Sequence, residues 1–359
     1  MTTIHQLARL CGVSAATVSR VFNNPQSVRR ETREHVERIA RELDYRPNES
    51  ARTLSQKKSN LIGVVWDTDH RRTGWRHPYL QEILVGLKSA LSSHGYHLLL
   101  LATSDDGDER KVGASLANPV AYLNAASRHN LGGLILIDSG ADGPAFTAFA
   151  ASGLPCVAID VPIMGPRATY VTSANDTGAA AAVAHLHRLG HRRIATISGP
   201  RHTLPGARRL EGFLAAMTEL ELSIPDEYRV EGDFYLASGH TAMRELLALP
   251  RPPTAVFVAG DEMAVGALRA AREVGARVPD DVAIVGFDDI ESASVVSPAL
   301  STVAQDKAGF GAAAAEAVLA MITPNRDAPT PEPIVLGTEL VIRESCGGTI
   351  ATGPADGKR

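Results

Sequence analysis

Residues 4–23 read IHQLARLCGVSAATVSRVFN, and the reading of the chain starts from them. Ile4, Leu7 and Ala8 recur at helical spacing, which predicts a short amphipathic helix. Cys11-Gly12-Val13 follows, and Gly12 can take the left-handed backbone that ends a helix cheaply. Ser14 suits the N-cap of a second helix, because its hydroxyl accepts an otherwise free amide proton. Val18, Val21 and Phe22 then form one apolar face, with Ala15, Ala16, Ser19 and Arg20 pointing the other way. Two short helices around a glycine turn, with small and basic residues outside the second, predict a helix-turn-helix that enters a DNA major groove. The bland alternative is a helical hairpin at the edge of a core.

The flanking residues favour the DNA reading. After Asn23-Asn24-Pro25, a turn signal, residues 28–45 read VRRETREHVERIARELDY. Val36, Ile39, Ala40 and Leu43 make one stripe, so a third helix closes a small head. Residues 47–60 read PNESARTLSQKKSN, where Asn48 can cap a short helix through about Ser55. Such a helix is too short to stand alone in water. Leu54, with Ala51 one turn earlier, is its lone large apolar residue. That is what a hinge helix needs if it orders on DNA and wedges a side chain into a base step from the minor groove. A linker with an incidental Leu is the alternative.

Charge is distributed to match. Residues 1–59 hold 11 Lys or Arg against six Asp or Glu, a net +5; the rest holds 25 against 34, a net −9. A basic head on an acidic body fits a phosphate-contacting head and a body that stays off DNA.

TIHQLARLCGVSAATVSRVFN, TREHVERIARELDYRPNESARTLSQKKSNLIGVV, GFDDI and TELVIRES together resemble the lactose-repressor (LacI/GalR) family of bacterial transcription factors, over nearly the whole chain. The resemblance implies that Ala15, Ala16 and Arg20 face base edges, that Leu54 intercalates at the operator centre, and that a homodimer binds a near-palindromic operator. Arg29 departs from the family, which usually has a polar N-cap there. Arg20 can pair bidentately with guanine, while Ala15 and Ala16 can only pack on a thymine methyl or let the helix sit deeper. Ser14, Thr17, Ser19 and Asn23 complete the expected DNA-binding set, with Ser19, Asn23 and backbone amides holding phosphates.

From Leu61 apolar runs alternate with helical segments. Expected strands are Leu61–Val65, His97–Ala102, Leu134–Ile137, Cys156–Ile159, Ile194–Ser198, Ala255–Val258 and Val282–Val285. Helices between them are expected at Tyr79–His94, Pro119–His129, Pro144–Ala151, Thr177–Leu189, Arg208–Leu220, Ser238–Leu249 and Met263–Val274. Two successive series predict an α/β body of two parallel-sheet lobes, with ligand bound at the carboxyl ends of strands in the cleft between them. The resemblance adds a periplasmic-binding-protein fold and a helix near Ala308–Ile322 that crosses back to the first lobe. The expected divisions are 1–46 for the DNA-binding head, 47–59 for the hinge, 60–345 for the effector-binding and dimerisation body, and 346–359 for a disordered tail.

Trp66-Asp67, the loop holding Trp75 and His77, and the carboxylates Asp160, Asp288 and Asp289 all follow strands. Aromatic faces with carboxylates and an Arg suit a sugar, through stacking and charged hydrogen bonds to hydroxyls; helix capping is the alternative for each carboxylate. The resemblance implies effector contacts at Tyr79, Asp160, Arg209, Phe234, Asp288 and Gln305. Two departures stand out: Gly260 where an Asn is common, and a longer loop at 66–79 carrying Trp75, which joins the expected effector set.

No cofactor or metal is expected. His185 and His187 are two apart and point to different sides of a helix, so HLHRLGHRR reads as a basic helix end. Gly309-Phe310-Gly311 does not follow a strand, which argues against a dinucleotide site. No serine sits in a nucleophile-elbow sequence. Three distant cysteines, no long apolar run and no leader-like N-terminus suggest a cytoplasmic protein without a membrane span. A two-lobed cytoplasmic sugar-binding protein or sugar-processing enzyme is the other class weighed.

Overall fold

The structure is a computed structural model and describes residues 3–45, 59–67, 78–101, 119–138, 144–322 and 330–348. The expected hinge helix with Ala51 and Leu54, and the loop residues Trp75 and His77, lie outside the described residues. The chain separates into two compact units, Met1–Asn60 and Leu61–Arg359.

The head holds α1 (Ile4–Leu10), α2 (Ala15–Asn23) and α3 (Arg30–Glu42). Thr3 caps α1 in a reciprocal box with Gln6, Gly12 turns the chain at φ +66°, and the Ser14 hydroxyl accepts from Thr17 N at 3.1 Å. Leu7, Ala8, Cys11, Val18, Val21, Val36 and Ala40 form the core. Two expectations need correcting. Ala15 does not point away from the core; it shares a helical stripe with Val18 and Phe22 and packs partly against them. Leu43 is exposed, and Tyr45 packs in its stead, its ring 5.8 Å from that of Phe22. Arg29 precedes α3 without a side-chain capping bond, as its chemistry dictates.

Among the described residues the body forms two six-stranded sheets. The first has β1 (Leu61–Asp67), β2 (His97–Leu101), β3 (Gly133–Asp138), β4 (Cys156–Ile159), β5 (Ala168–Ser173) and β11 (Ile334–Leu336), ordered β11-β5-β4-β3-β1-β2. Around it lie α4 (Pro78–Ser93), α5 (Pro119–Arg128) and α6 (Pro144–Ala151). The second has β6 (Ile194–Ser198), β7 (Arg229–Glu231), β8 (Ala255–Val258), β9 (Ala283–Asp288), β10 (Ser301–Gln305) and β12 (Thr338–Val341), ordered β12-β10-β9-β8-β6-β7. Its helices are α7 (Asn175–Arg188), α8 (Leu204–Glu219), α9 (Leu236–Leu247), α10 (Asp261–Glu273) and the short α11 (Glu291–Val295). Pairing is parallel except where β12 runs antiparallel to β10.

The last long helix, α12 (Lys307–Ile322), follows a second-sheet strand yet packs on α4 and the first sheet. Gly86 and Gly311 make that approach possible: a Cβ on either would collide with the facing backbone, at Ala308 O or at Ile83 O and Leu87 N. Contrary to expectation, Gly309-Phe310-Gly311 does come shortly after a strand, β10, but it lies within the first turns of α12, where Gly311 serves helix packing. Cys346, placed by the sequence reading at the start of a loose tail, is buried. Its sulfur accepts from Ser301 Oγ at 3.1 Å and lies 3.3 Å from His185 Nε2. His185 is itself buried and burial lowers its pKa, so it is a neutral core residue and adds no charge to the helix end.

Candidate functional site

On the head, Ala16 and Arg20 lie one helical turn apart on α2 and both are exposed. Ser14 spends its hydroxyl on the cap and sits 2.9 Å from Thr17 Oγ1, so both belong first to the helix start. Ser19 and Thr17 are half-buried. Asn23 ends α2.

In the body, the strand ends gather the polar side chains. Asp160 follows β4, Asp288 ends β9, Gln305 ends β10 and Gly260 follows β8. A continuous run of hydrogen bonds joins the lobes. Tyr79 Oη donates to Asp160 Oδ2 at 2.7 Å, and Thr172 Oγ1 donates to Asp160 Oδ1 at 2.8 Å. Asn175 Nδ2 donates to Thr172 Oγ1 at 3.2 Å, and Asn175 Oδ1 accepts from Arg209 Nε at 2.8 Å. Arg209 Nη1 donates to Ala259 O at 2.7 Å and to Asp288 Oδ1 at 3.2 Å. Gln305 Nε2 donates to the same Asp288 oxygen at 2.6 Å. Arg209 and Asp288 are 3% and 7% exposed, so this ion pair is shielded from water and from salt.

Aromatic groups frame the guanidinium. Arg209 Cζ stands 3.7 Å from the Phe287 ring centroid and 5.8 Å from that of Phe234. Three of the site residues have positive φ without being glycine: Asp160 at 58°, Phe234 at 68° and Asp288 at 117°. Backbone held in such regions persists only where surroundings enforce it, and it concentrates at ligand sites. Gln305 Oε1 and Ser173 Oγ are buried atoms with no hydrogen-bond partner among the described residues, capacity that a hydroxylated ligand or water would satisfy.

Burial pushes the Tyr79 phenol well above its usual range, reinforced by Asp160 beside it. Burial likewise raises Asp160, opposed by the hydrogen bonds it accepts from Tyr79 and Thr172. Behind Asp288 lies Asp261, fully buried. Burial first and the Asp288 charge second push its carboxyl well above the ordinary range, although Thr302 Oγ1 and Ile290 N both donate to it.

Six of the residues implied by resemblance thus meet: Tyr79, Asp160, Arg209, Phe234, Asp288 and Gln305. Sequence reading missed Thr172, Asn175, Asp261 and Phe287. Phe287 was within sight, lying inside GFDDI; Thr172 and Asn175 sit at the lobe crossing, Thr172 on β5, a strand that the apolar pattern did not reveal, and Asn175 at the start of α7. No group of three or more His, Cys, Asp or Glu residues is placed to hold a metal among the described residues.

Residues 3–48 match the family described as bacterial regulatory proteins, lacI family, and residues 183–346 match the periplasmic binding protein-like domain. The probable HTH-type transcriptional repressor ExuR of Bacillus subtilis (strain 168) is 33% identical over 96% of this chain and 98% of its own length. The lac repressor dimer bound to operator and the anti-inducer ONPF superposes with a TM-score of 0.81 at 30% identity, covering 96% of this chain and 99% of that one. A complex of the transcriptional regulator CelR with cellobiose gives 0.70 at 32% identity, covering 96% and 100%. A helix-turn-helix head joined to a two-lobed, periplasmic-binding-protein-like body defines the class: a DNA-binding regulator with a small-molecule site. The chain belongs to the lacI family of bacterial regulatory proteins.

Proposed function

We propose that the protein is a sequence-specific transcriptional repressor whose operator affinity is set by a small effector, a sugar, bound between the lobes. The buried pair of Arg209, from α8, and Asp288, at the end of β9, carries this reading, with Gln305 Oε1 beside it, which has no partner among the described residues. A guanidinium fork and carboxylates match vicinal hydroxyls, and Phe234 offers a face for sugar C–H groups. The cellobiose named with CelR supports the ligand class, and the operator-bound lac repressor dimer supports a homodimer on a near-palindrome.

In this proposal Ala16 and Arg20 read bases, with Ala15 contributing only its exposed part. Ser14, Thr17, Ser19 and Asn23 line the phosphate side, and Ala51 and Leu54 act at the operator centre. Trp75 joins Tyr79, Asp160, Arg209, Phe234, Asp288 and Gln305 as an effector contact. The named relatives are regulators rather than enzymes. That this chain has no catalysis of its own, and that it works in the cytoplasm, belong to the proposal; no described helix is long and apolar enough to cross a membrane.

A thermal-shift panel of sugars and nucleosides on the full chain tests the ligand class. A ligand at about a hundred times its Kd should raise the midpoint by roughly 5 °C or more. A shift with nucleosides but with no sugar would refute the sugar assignment.

A further inference from the structure

Lys307, the first residue of α12, is only 6% exposed, an unusual place for an ammonium group. Its Nζ donates to Asp288 O at 2.8 Å and to Asp289 O at 2.7 Å. Glu82 Oε2, on α4 of the first lobe, lies 3.6 Å from the same nitrogen. Lys307 therefore grips the main chain of the very residue whose side chain forms the Arg209 pair, and it is ion-paired to the other lobe.

The gripped turn is itself under constraint. Asp288 and Asp289 have φ of 117° and 53°. Asp289 Oδ1 forms an ion pair with Arg343 Nη2 at 2.7 Å, and Ile290 N donates to the buried Asp261 Oδ2 at 3.1 Å. Ile290, although it follows a second-sheet strand, is 1% exposed within the first lobe's core, among Ile62, Tyr79 and Phe310. A second link runs beside the first. Phe310, one turn after Lys307, meets the Tyr79 ring edge-on at 6.1 Å, and Tyr79 is one turn before Glu82. The first turn of α12 thus touches the Asp288 half of the site and, through α4, the Tyr79–Asp160 half.

We propose that Lys307 is a positioning residue that transmits the state of Asp288 to α4 of the first lobe through the Asp288–Ile290 turn and Glu82. It acts through the Asp288 and Asp289 carbonyls and Glu82. Its importance for regulation rests on the effector-gated reading above, but the linkage itself is a property of the fold. The physical need is clear: a ligand moves an equilibrium only through contacts that differ between two arrangements. A buried cation shared by two lobes is such a contact, since moving either lobe strips it of a partner.

Hydrogen exchange on the full chain tests this, with four proteins: parent, Asp288→Asn, Lys307→Met and the double variant. Asp288→Asn should speed exchange in the first half of α4 roughly tenfold, the size of one lost charge-assisted hydrogen bond. In the Lys307→Met background the same change should add less than about twofold. Lys307→Arg, which keeps a charged donor, should restore part of the response. Equal responses in both backgrounds, or none in α4 of the parent, would overturn the proposal. If Lys307→Met does not fold, Glu82→Gln takes its place; Glu82 is half-exposed and its loss leaves the carbonyl bonds intact. A full Asp288→Asn response surviving in Glu82→Gln would equally overturn it. These readouts need neither operator nor effector, so a failure of DNA binding would count against the repressor reading and leave this result standing.

Discussion

Arg209→Ala gives the sharpest test of the site. The guanidinium makes three hydrogen bonds, to Asn175 Oδ1, Ala259 O and Asp288 Oδ1, and stacks on Phe287. Removing it leaves Asp288, 7% exposed, as a buried carboxylate supported at its side chain, among the described residues, by Gln305. Breaking a buried pair in this way costs about 3–5 kcal/mol, mostly the penalty of the stranded charge. For a body of this size that lowers the thermal midpoint by roughly 10 °C. Asp288→Asn alone strands the guanidinium less, because Asn175 and Ala259 still accept from it. The double variant Arg209→Ala with Asp288→Asn has no stranded charge and should recover about 2 kcal/mol relative to the sum of the single losses. Thermal and denaturant unfolding of the four full-length proteins measures this cycle. Additivity within about 0.5 kcal/mol would mean that the pair is not shielded as described.

Other outcomes follow from the same structure. Arg20→Ala should relax base preference at one symmetric pair of operator positions, at a loss of about 1–3 kcal/mol per contact; an unchanged logo from selected oligonucleotides would count against it. Ser14→Ala should cost α2 about 1 kcal/mol and speed exchange at the Thr17 amide by up to about fivefold, since that amide loses its side-chain acceptor and keeps only Ser14 O at 2.9 Å. Asp261 keeps a proton in the fold above the ordinary carboxylate range, so it favours the folded state below that range. Stability is then lost as pH rises from the ordinary value towards the raised one. Asp261→Asn, which cannot ionise, should flatten the fall of the melting profile as pH rises above the ordinary carboxylate range. Parallel profiles for parent and variant there would show that Asp261 does not titrate as described.

Much of the body was legible because buried parallel strands read as apolar runs. Cys156–Ile159, Ile194–Ser198, Ala255–Val258 and Pro144–Ala151 have the ends the pattern predicts. Strand β10 was not legible. Its Ser301 and Thr302 are buried, and their hydroxyls are satisfied by Cys346 and Asp261, partners more than forty residues away. Helix α8 begins at Leu204 rather than Arg208, because Thr203 caps it and Pro205 sits in its first turn. The site residues at strand ends came from family resemblance and strand position together. Lys307 left no local trace: a lysine opening an alanine-rich helix reads as a solvated end, and only the crossing back to the first lobe buries it.

In the proposed function one chain joins operator recognition to effector binding. Fluorescence anisotropy with a duplex selected by the full-length protein measures it directly, across salt and with the ligand found by thermal shift. Binding should weaken steeply with salt, favour the selected near-palindrome over a scrambled duplex, and change at least tenfold with ligand, about 1.4 kcal/mol of coupling. Variants at Arg209 and Asp288 should bind the duplex but lose the ligand response. Equal affinity for selected and scrambled duplexes, or the same ligand response in those variants as in the parent, would contradict it.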